Sequence, residues 1–284
     1  MKVAIIANTK KEGIRTILPT FVRDLGKYDI GAVLHENMTR ILGGRFTFLP
    51  EDLLLDGVDM IISFGGDGTI LRTAQLSLGT DIPILGVNLG KVGFLAEISP
   101  DEISHVPERL KNGKYTIIDR MAFTAETSSG DEYFALNDIV IDRSADTRIL
   151  ELSVSVDDLH AGDFAADGII VSTPTGSTAH SVSAGGPLVM PECNVTVLTP
   201  ICPHSLTLRP MIIDGSKKVG LHVLGGLGRM AVDGQSFVDV PAGSKVDIRM
   251  SENAVKIARF DDKTYFDILH TRLNWGVSPK LRNA

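Results

Sequence analysis

Two short segments of the chain combine residue types that could handle a phosphate-bearing ligand. The first, Ser63-Phe64-Gly65-Gly66-Asp67-Gly68-Thr69, falls between an apolar run and a segment of helical spacing. Glycines let a backbone approach a phosphate closely, and a following helix presents free N–H groups and a positive dipole. The same residues also fit a tight turn in which Asp67 only caps the helix, since Asp is a favoured N-cap. Two common nucleotide motifs are excluded. A GxGxxG fingerprint starting at Gly66 would need a small residue where Leu71 stands. The string from Gly86 to Val92 is one residue short of a Walker A loop and has Val after its Lys.

The second segment runs from Asp167 to Pro187. It begins as a strand, Ile169-Ile170-Val171, and continues as a loop of Ser, Thr, Gly and Ala that contains His180. Small hydroxyl residues offer donors and backbone N–H groups to a polar ligand without a large side chain in the way. Such composition is also that of a flexible loop. The strand before it and Gly185-Gly186-Pro187 after it favour a fixed one.

The elements that would carry these segments change character along the chain. Val3–Ala7, Ile30–Leu34, Met60–Phe64 and Ile84–Val87 are apolar runs of the kind found in buried parallel strands. Between them, Ile14, Ile17, Leu18, Phe21, Val22 and Leu25 line one helix face, and Thr69–Leu78 reads as another helix. Residues 35–57 give no clear period. Strand, helix and strand in this order predict a parallel sheet with crossover helices. Ser99-Pro100-Asp101-Glu102 is a capping box opening a further helix, which Pro107 bends or restarts.

Beyond residue 100 the period drops to two, as in Leu152-Val154-Val156, Val246-Ile248-Met250 and Val255-Ile257. Turn signals separate these runs, so the expectation is an antiparallel β domain. Helical spacing returns at Tyr265–Leu273. The expected division is an α/β domain over 1–99, completed by 260–284, and an all-β domain over 100–259.

Composition narrows the function. The 284 residues carry 28 Lys and Arg against 35 Asp and Glu, a formal charge of −7, with no basic cluster for nucleic acid or an anionic membrane surface. No apolar run is long enough for a membrane span or a signal peptide, so the expectation is a soluble cytoplasmic protein. The two cysteines, Cys193 and Cys202, lack metal-ligand spacing and read as buried thiols in a reducing compartment. Glycine is in excess, 28 residues or about a tenth of the chain, against about 7% on average.

Taken together, Gly65-Gly66-Asp67-Gly68-Thr69 and the run from Asp167 to Pro187 resemble the NAD kinase family. Weaker matches follow in the family's order: Gly86-Val87-Asn88-Leu89-Gly90 through Gly93-Phe94-Leu95, Leu136-Asn137-Asp138, and Leu273-Asn274-Trp275-Gly276. The GGDG turn alone is shared with lipid kinases and resembles phosphofructokinases; the longer run is more specific. The resemblance implies a GGDG-type, Rossmann-like α/β domain, an all-β domain and a site in the cleft between them. It further implies phosphoryl transfer from ATP or polyphosphate to the adenosine 2′-hydroxyl of NAD, with Mg²⁺ or another divalent ion. Homodimers or homotetramers are implied as well, with nucleotides as the only other partners.

By the same match Asp67 would take the hydroxyl proton, and Gly66, Gly68 and Thr69 would surround phosphate, with Arg72 near it. Asn137 and Asp138 would contact the dinucleotide. Asp167 would bind a ribose or the carboxamide. Thr178, Ala179, His180, Ser181, Val182 and Ser183 would hold adenine and its ribose, and Phe94 would stack on a base. Arg148 and Gln235 are lesser candidates. Two departures stand out. His180 replaces the family's usual Tyr and adds a group that charges near pH 6.5. Ala165 stands two positions before Asp167, where many members carry Arg or His. A GGDG lipid kinase lacks support in so acidic a chain, and a non-catalytic dinucleotide sensor would have no need of Asp67.

Overall fold

The structure is a computed structural model that describes residues 1–43, 46–90 and 93–276. Residues 277–284 of the expected 260–284 segment, and Lys91 and Val92 of the string after Gly86, lie outside the described residues. The chain forms two compact units, Met1–Asp119 with Lys256–Ala284, and Arg120–Val255.

The first unit opens with strand β1 (Lys2–Ala7), helix α1 (Ile14–Lys27) and strand β2 (Gly31–His35). The stretch without a sequence period follows as a short helix α2 (Thr39–Leu42) and a two-residue strand β3 (Phe48–Leu49). Strand β4 (Met60–Gly65), helix α3 (Asp67–Leu76) and strand β5 (Ile84–Asn88) come next. Every residue of β4 and β5 is buried. Strands covered on both faces need continuous apolar runs, which is what these segments supply. Phe21 of α1 meets Phe64 of β4 edge to face, with ring centroids 5.0 Å apart.

The connection between residues 99 and 112 follows its sequence signals. The Glu102 carboxylate accepts the Ser99 N–H at 2.7 Å and the Ser99 hydroxyl at 2.6 Å. The 3₁₀ turn Pro100–His105 then passes into helix α4 (Val106–Lys111), which restarts with Pro107 in its first turn. Strand β6 (Thr116–Arg120) ends this part of the chain.

The second unit holds two six-stranded antiparallel sheets among the described residues. Its strands are β7 (Phe123–Thr127), β8 (Glu132–Ala135), β9 (Asp138–Arg143), β10 (Leu150–Val156), β11 (Leu159–Ala166) and β12 (Gly168–Ser172). After the short helix α5 (His180–Ser183) come β13 (Val195–Ile201), β14 (Met211–Asp214), β15 (Val219–Gly225), β16 (Leu227–Val232), β17 (Ser236–Pro241) and β18 (Lys245–Met250). One sheet runs β11-β10-β15-β18-β7-β8 and the other β14-β13-β12-β9-β16-β17. Their alternating apolar residues share one core, including Leu152 and Val246 from the first sheet and Ile139 and Ile169 from the second. A smaller cluster of Val140, Ile170 and Ala231, with Ala184 packed on it, covers the other face of β12.

Strand β19 (Val255–Arg259) and helix α6 (Tyr265–Leu273) return the chain to the first sheet, whose order is β3-β2-β1-β4-β5-β19-β6. The alternation of Val255 and Ile257 places this segment in the antiparallel group, and here the structure differs. β19 pairs in parallel with β5, Ile257 opposite Ile84. A short half-buried strand carries the same period in either kind of sheet, so its pattern does not reveal its partner. The cysteines differ too. Both are exposed, because they lie in the turns just before and just after β13 rather than within it.

Within the first unit the wholly buried β4 is the part least able to lose volume. Ile62→Ala, at a site with no exposed surface, is expected to cost about 2–5 kcal/mol, read from the shift in a urea unfolding curve.

Candidate active site

Topology selects one edge of the first sheet. The chain leaves β1 for β2 on one side and returns to β4 on the other, with β1 parallel to both. The carboxyl end of β4 therefore sits at a switch in strand order, where open α/β sheets leave a crevice for ligands. That end is Gly65, and the GGDG turn follows it directly.

Helix α3 starts earlier than its apolar spacing indicates. Gly66 is the N-cap, in extended conformation, and Asp67 is already the first helical residue. Asp67 does not cap its own helix. Its carboxylate reaches across the chain and accepts the backbone N–H groups of Phe94 (2.9 Å), Leu95 (3.1 Å) and Ala96 (3.0 Å). The position of Gly93 explains why a glycine stands there. A Cβ on it would collide with the Asp67 carboxylate. The capping alternative open at the level of sequence is thus closed by geometry.

The second unit carries a separate grouping. Asn137, Asp138, Ala179, His180, Asp233 and Phe237 are among the residues lining an open cavity of about 280 Å³. Asp233 and Gly234 form the turn between β16 and β17 with φ of 51° and 63°, as expected of an Asp-Gly hairpin turn. The Asp233 carboxylate accepts the N–H groups of Leu136 (2.9 Å), Asn137 (2.7 Å) and Asp138 (3.1 Å), so it sets the entry to β9. Asp138 is only 4% exposed and Asp233 only 8%.

Burial, and then the negative charge of Asp233, push the Asp138 carboxyl up to about 7, against a hydrogen bond from the His180 backbone N–H. Burial raises Asp233 as well, but its three N–H donors oppose the rise. The Asp138 carboxyl therefore keeps its proton to much higher pH than an ordinary Asp.

The loop from Ser172 to Val189 is fixed, as its bracketing suggests, and its hydroxyls do the fixing. Thr173 Oγ1 donates to the Leu136 carbonyl at 2.7 Å, and Ser177 Oγ donates to Pro174 O at 2.7 Å. Ser181 shares a hydrogen bond with Thr199 Oγ1 at 2.9 Å. These buried hydroxyls face the protein, so what the loop offers a ligand at those positions is backbone. Gly176 allows this packing, since a Cβ there would collide with the Asn137 carbonyl.

The remaining candidates are spread out. Thr69 is buried in the first turn of α3, whereas Arg72 is exposed on the same helix. Phe94 is half-buried and offers Asp67 its backbone. Asp167 accepts from Arg143 Nε at 2.9 Å, and Ala165 lies on the neighbouring strand β11. Thr178 bonds back to Thr175 O. Arg148 and Gln235 are exposed in turns, while Val182 and Ser183 lie on α5. Asp233 and Phe237 escaped sequence reasoning, although the Asp-Gly dipeptide at 233–234 signals the turn that places the first of them; Gly93 stood in a matched segment, but its place against Asp67 did not show there.

Among the described residues no group of three or more His, Cys, Asp and Glu side chains comes together as a metal cage. No helix among them is long and apolar enough to cross a membrane.

Two family models match: the ATP-NAD kinase N-terminal domain over residues 51–115 and its C-terminal domain over residues 136–260. The chain belongs to the NAD kinase family. It is similar to the NAD kinase of Geobacter sulfurreducens, 35% identical over 97% of this chain and 99% of that one. The NAD kinase of Sulfurimonas denitrificans is 32% identical over 97% of each chain. Among solved structures, an NAD kinase from Archaeoglobus fulgidus in complex with ATP matches with a TM-score of 0.75 at 26% identity, over 94% of this chain and 96% of that one. Yeast NADH kinase complexed with NADH shares the fold, with a TM-score of 0.90 at 22% identity over 99% and 89% of the two chains. Membership makes this chain a phosphotransferase that uses ATP to phosphorylate NAD.

The Asp138 carboxyl gives stability a pH signature. Its folded value of about 7 lies above the ordinary 3.8, so the folded state retains a proton that the unfolded chain has released. Stability from this group falls as pH rises from about 4 to about 7, and the cost is complete above that window. Asp138→Asn removes the titration. Its urea midpoint is expected to gain on that of the parent between pH 5 and pH 7, and to run parallel to it above pH 8.

Proposed function

We propose that the reaction runs at the GGDG turn, with Asp67 as the proton acceptor. The 2′-oxygen of the adenosine ribose of NAD forms a bond to the γ-phosphorus of ATP. The bond from that phosphorus to the β,γ-bridging oxygen breaks, ADP leaves with the electron pair, and the hydroxyl proton passes to Asp67. The observation that carries this reading is the Asp67 carboxylate, held at the switch-point edge by three N–H groups. A carboxylate has about four acceptor positions; three are occupied here, which fixes the group in place and leaves one for a substrate hydroxyl. A ribose hydroxyl is a poor nucleophile at neutral pH, so such a base is a plain need of the chemistry.

Gly66, Gly68 and Thr69 supply the helix terminus for phosphate, with Arg72 one turn further along. Asn137, Asp138, Ala179 and His180 take a polar part of the dinucleotide. A protonated Asp138 donates to a carbonyl or hydroxyl oxygen, as a carboxylate could not. His180 stacks on a base. Asp167, Ala165, Thr178, Ser181, Val182, Ser183, Phe94, Arg148 and Gln235 complete the set of nucleotide contacts. A divalent ion such as Mg²⁺ enters on the phosphates of the donor as part of the substrate, which agrees with the absence of a protein cage among the described residues. ATP rather than polyphosphate is the donor. The protein works in the cytoplasm as a homodimer or homotetramer.

Incubation with NAD, ATP and Mg²⁺, with NADP read by an NADP-specific dehydrogenase, tests the reading; no NADP would refute it. Asp67→Asn is expected to lower kcat by about 10²–10⁴ while thermal unfolding shows an intact fold. Gly93→Ala, which drives a methyl group against the same carboxylate, should lower kcat in the same direction. Full activity in Asp67→Asn would remove the base assignment and leave the overall reaction standing.

A further inference from the structure

The three N–H groups that hold Asp67 belong to a loop that is tied down from its other end. Its backbone is pinned to β5 by Asn88 N donating to Ile98 O at 2.8 Å, and it closes on itself through Gly93 N to Ala96 O at 3.0 Å. Between these points Glu97 is held by the segment that follows β19. Lys263 Nζ donates to the Glu97 carbonyl at 2.9 Å and to Glu102 Oε2 at 2.7 Å. Arg259 Nη2 lies 3.4 Å from the Glu97 carboxylate, both side chains being nearly buried, and also donates to the Lys263 carbonyl.

Glu102 is the fixed end of this arrangement, because its carboxylate also receives both groups of Ser99. Burial works against its charge, yet the hydrogen bonds from Lys263 and Ser99 prevail and hold the carboxyl below its ordinary value. A cavity of about 20 Å³ separates the loop from this segment, lined by Leu95, Glu97, Ala258 and Lys263 among others. Packing is thus incomplete on that side, where Lys263 and Arg259 reach across to Glu97. The residue immediately before Glu97 is Ala96, one of the three that grip Asp67.

We propose that Lys263 is a positioning residue for phosphoryl transfer, which fixes the Phe94–Glu97 loop between Glu97 and Glu102 and so sets where the Asp67 carboxylate stands. The inference rests on the reading of Asp67 as the base. Lys263 touches neither substrate nor Asp67; its effect runs through the loop. Losing it affects the chemical step more than nucleotide affinity, because misplacing a reacting group by about 1 Å costs on the order of a hundredfold in rate.

The test uses the intact chain with three changes, Lys263→Met, Lys263→Arg and Asp67→Asn. Lys263→Met is expected to lower kcat by roughly tenfold to a hundredfold, with KM for NAD and for ATP within about twofold of the parent. Amide hydrogen exchange at Phe94–Ala96 should speed up, and Lys263→Arg should restore most of kcat by donating to the same two oxygens. An unchanged kcat in Lys263→Met, even with a lower melting temperature, overturns the inference. So does a fall in kcat with exchange at Phe94–Ala96 unaltered. If Lys263→Met does not fold, Glu102→Gln weakens the same tie, and the same split between kcat and KM decides. Wild-type activity in Asp67→Asn would overturn the base reading instead, whatever Lys263→Met does.

Discussion

A carboxylate gripped by three backbone N–H groups has one place to be, and the first unit is organised around that place. The parallel sheet brings Asp67 to the carboxyl end of β4. The stretch after β5 supplies the N–H groups at 2.9, 3.0 and 3.1 Å. Each requirement constrains the sequence. β4 must be apolar on both faces, Gly93 must lack a side chain, and Asp67 must follow the N-cap of α3 rather than serve as it. A carboxylate left free at a helix terminus would choose its own rotamer; here the choice is already made before a substrate arrives.

The same device recurs in the second unit with a different outcome. Asp233 also accepts three consecutive N–H groups, those of Leu136, Asn137 and Asp138. It is buried, however, and lies close enough to Asp138 to raise that neighbour's affinity for a proton. One arrangement of carboxylate and peptide groups thus fixes the proposed base in the first unit and a turn in the second. The neighbouring carboxyl decides which chemistry is available.

Much of this was legible from residue types alone. Continuous apolar runs at Met60–Phe64 and Ile84–Val87 identify buried parallel strands, and Ser99 with Glu102 announces the capping box that the structure contains. Period-two runs announce the paired sheets of the second unit. What escaped depends on long-range partners. Asp67 is a good N-cap type, and nothing local reveals that its carboxylate bonds to residues 94–96 instead. Val255 and Ile257 alternate equally well for a parallel or an antiparallel neighbour. The hydroxyls of the 172–189 loop look available in the sequence because composition does not say which way a side chain turns. Cys193 and Cys202 read as buried on residue type alone, and the turns on either side of β13 leave them exposed.

The inward hydroxyl bonds of that loop have a thermodynamic consequence. Because Thr173, Ser177 and Ser181 already hold it in shape, the cost of ordering it is met during folding. A nucleotide that met its backbone, as proposed for this loop, would find a finished surface. The heat-capacity change of association should then reflect the ligand area covered and little else, without the large negative excess that accompanies a segment folding onto its ligand.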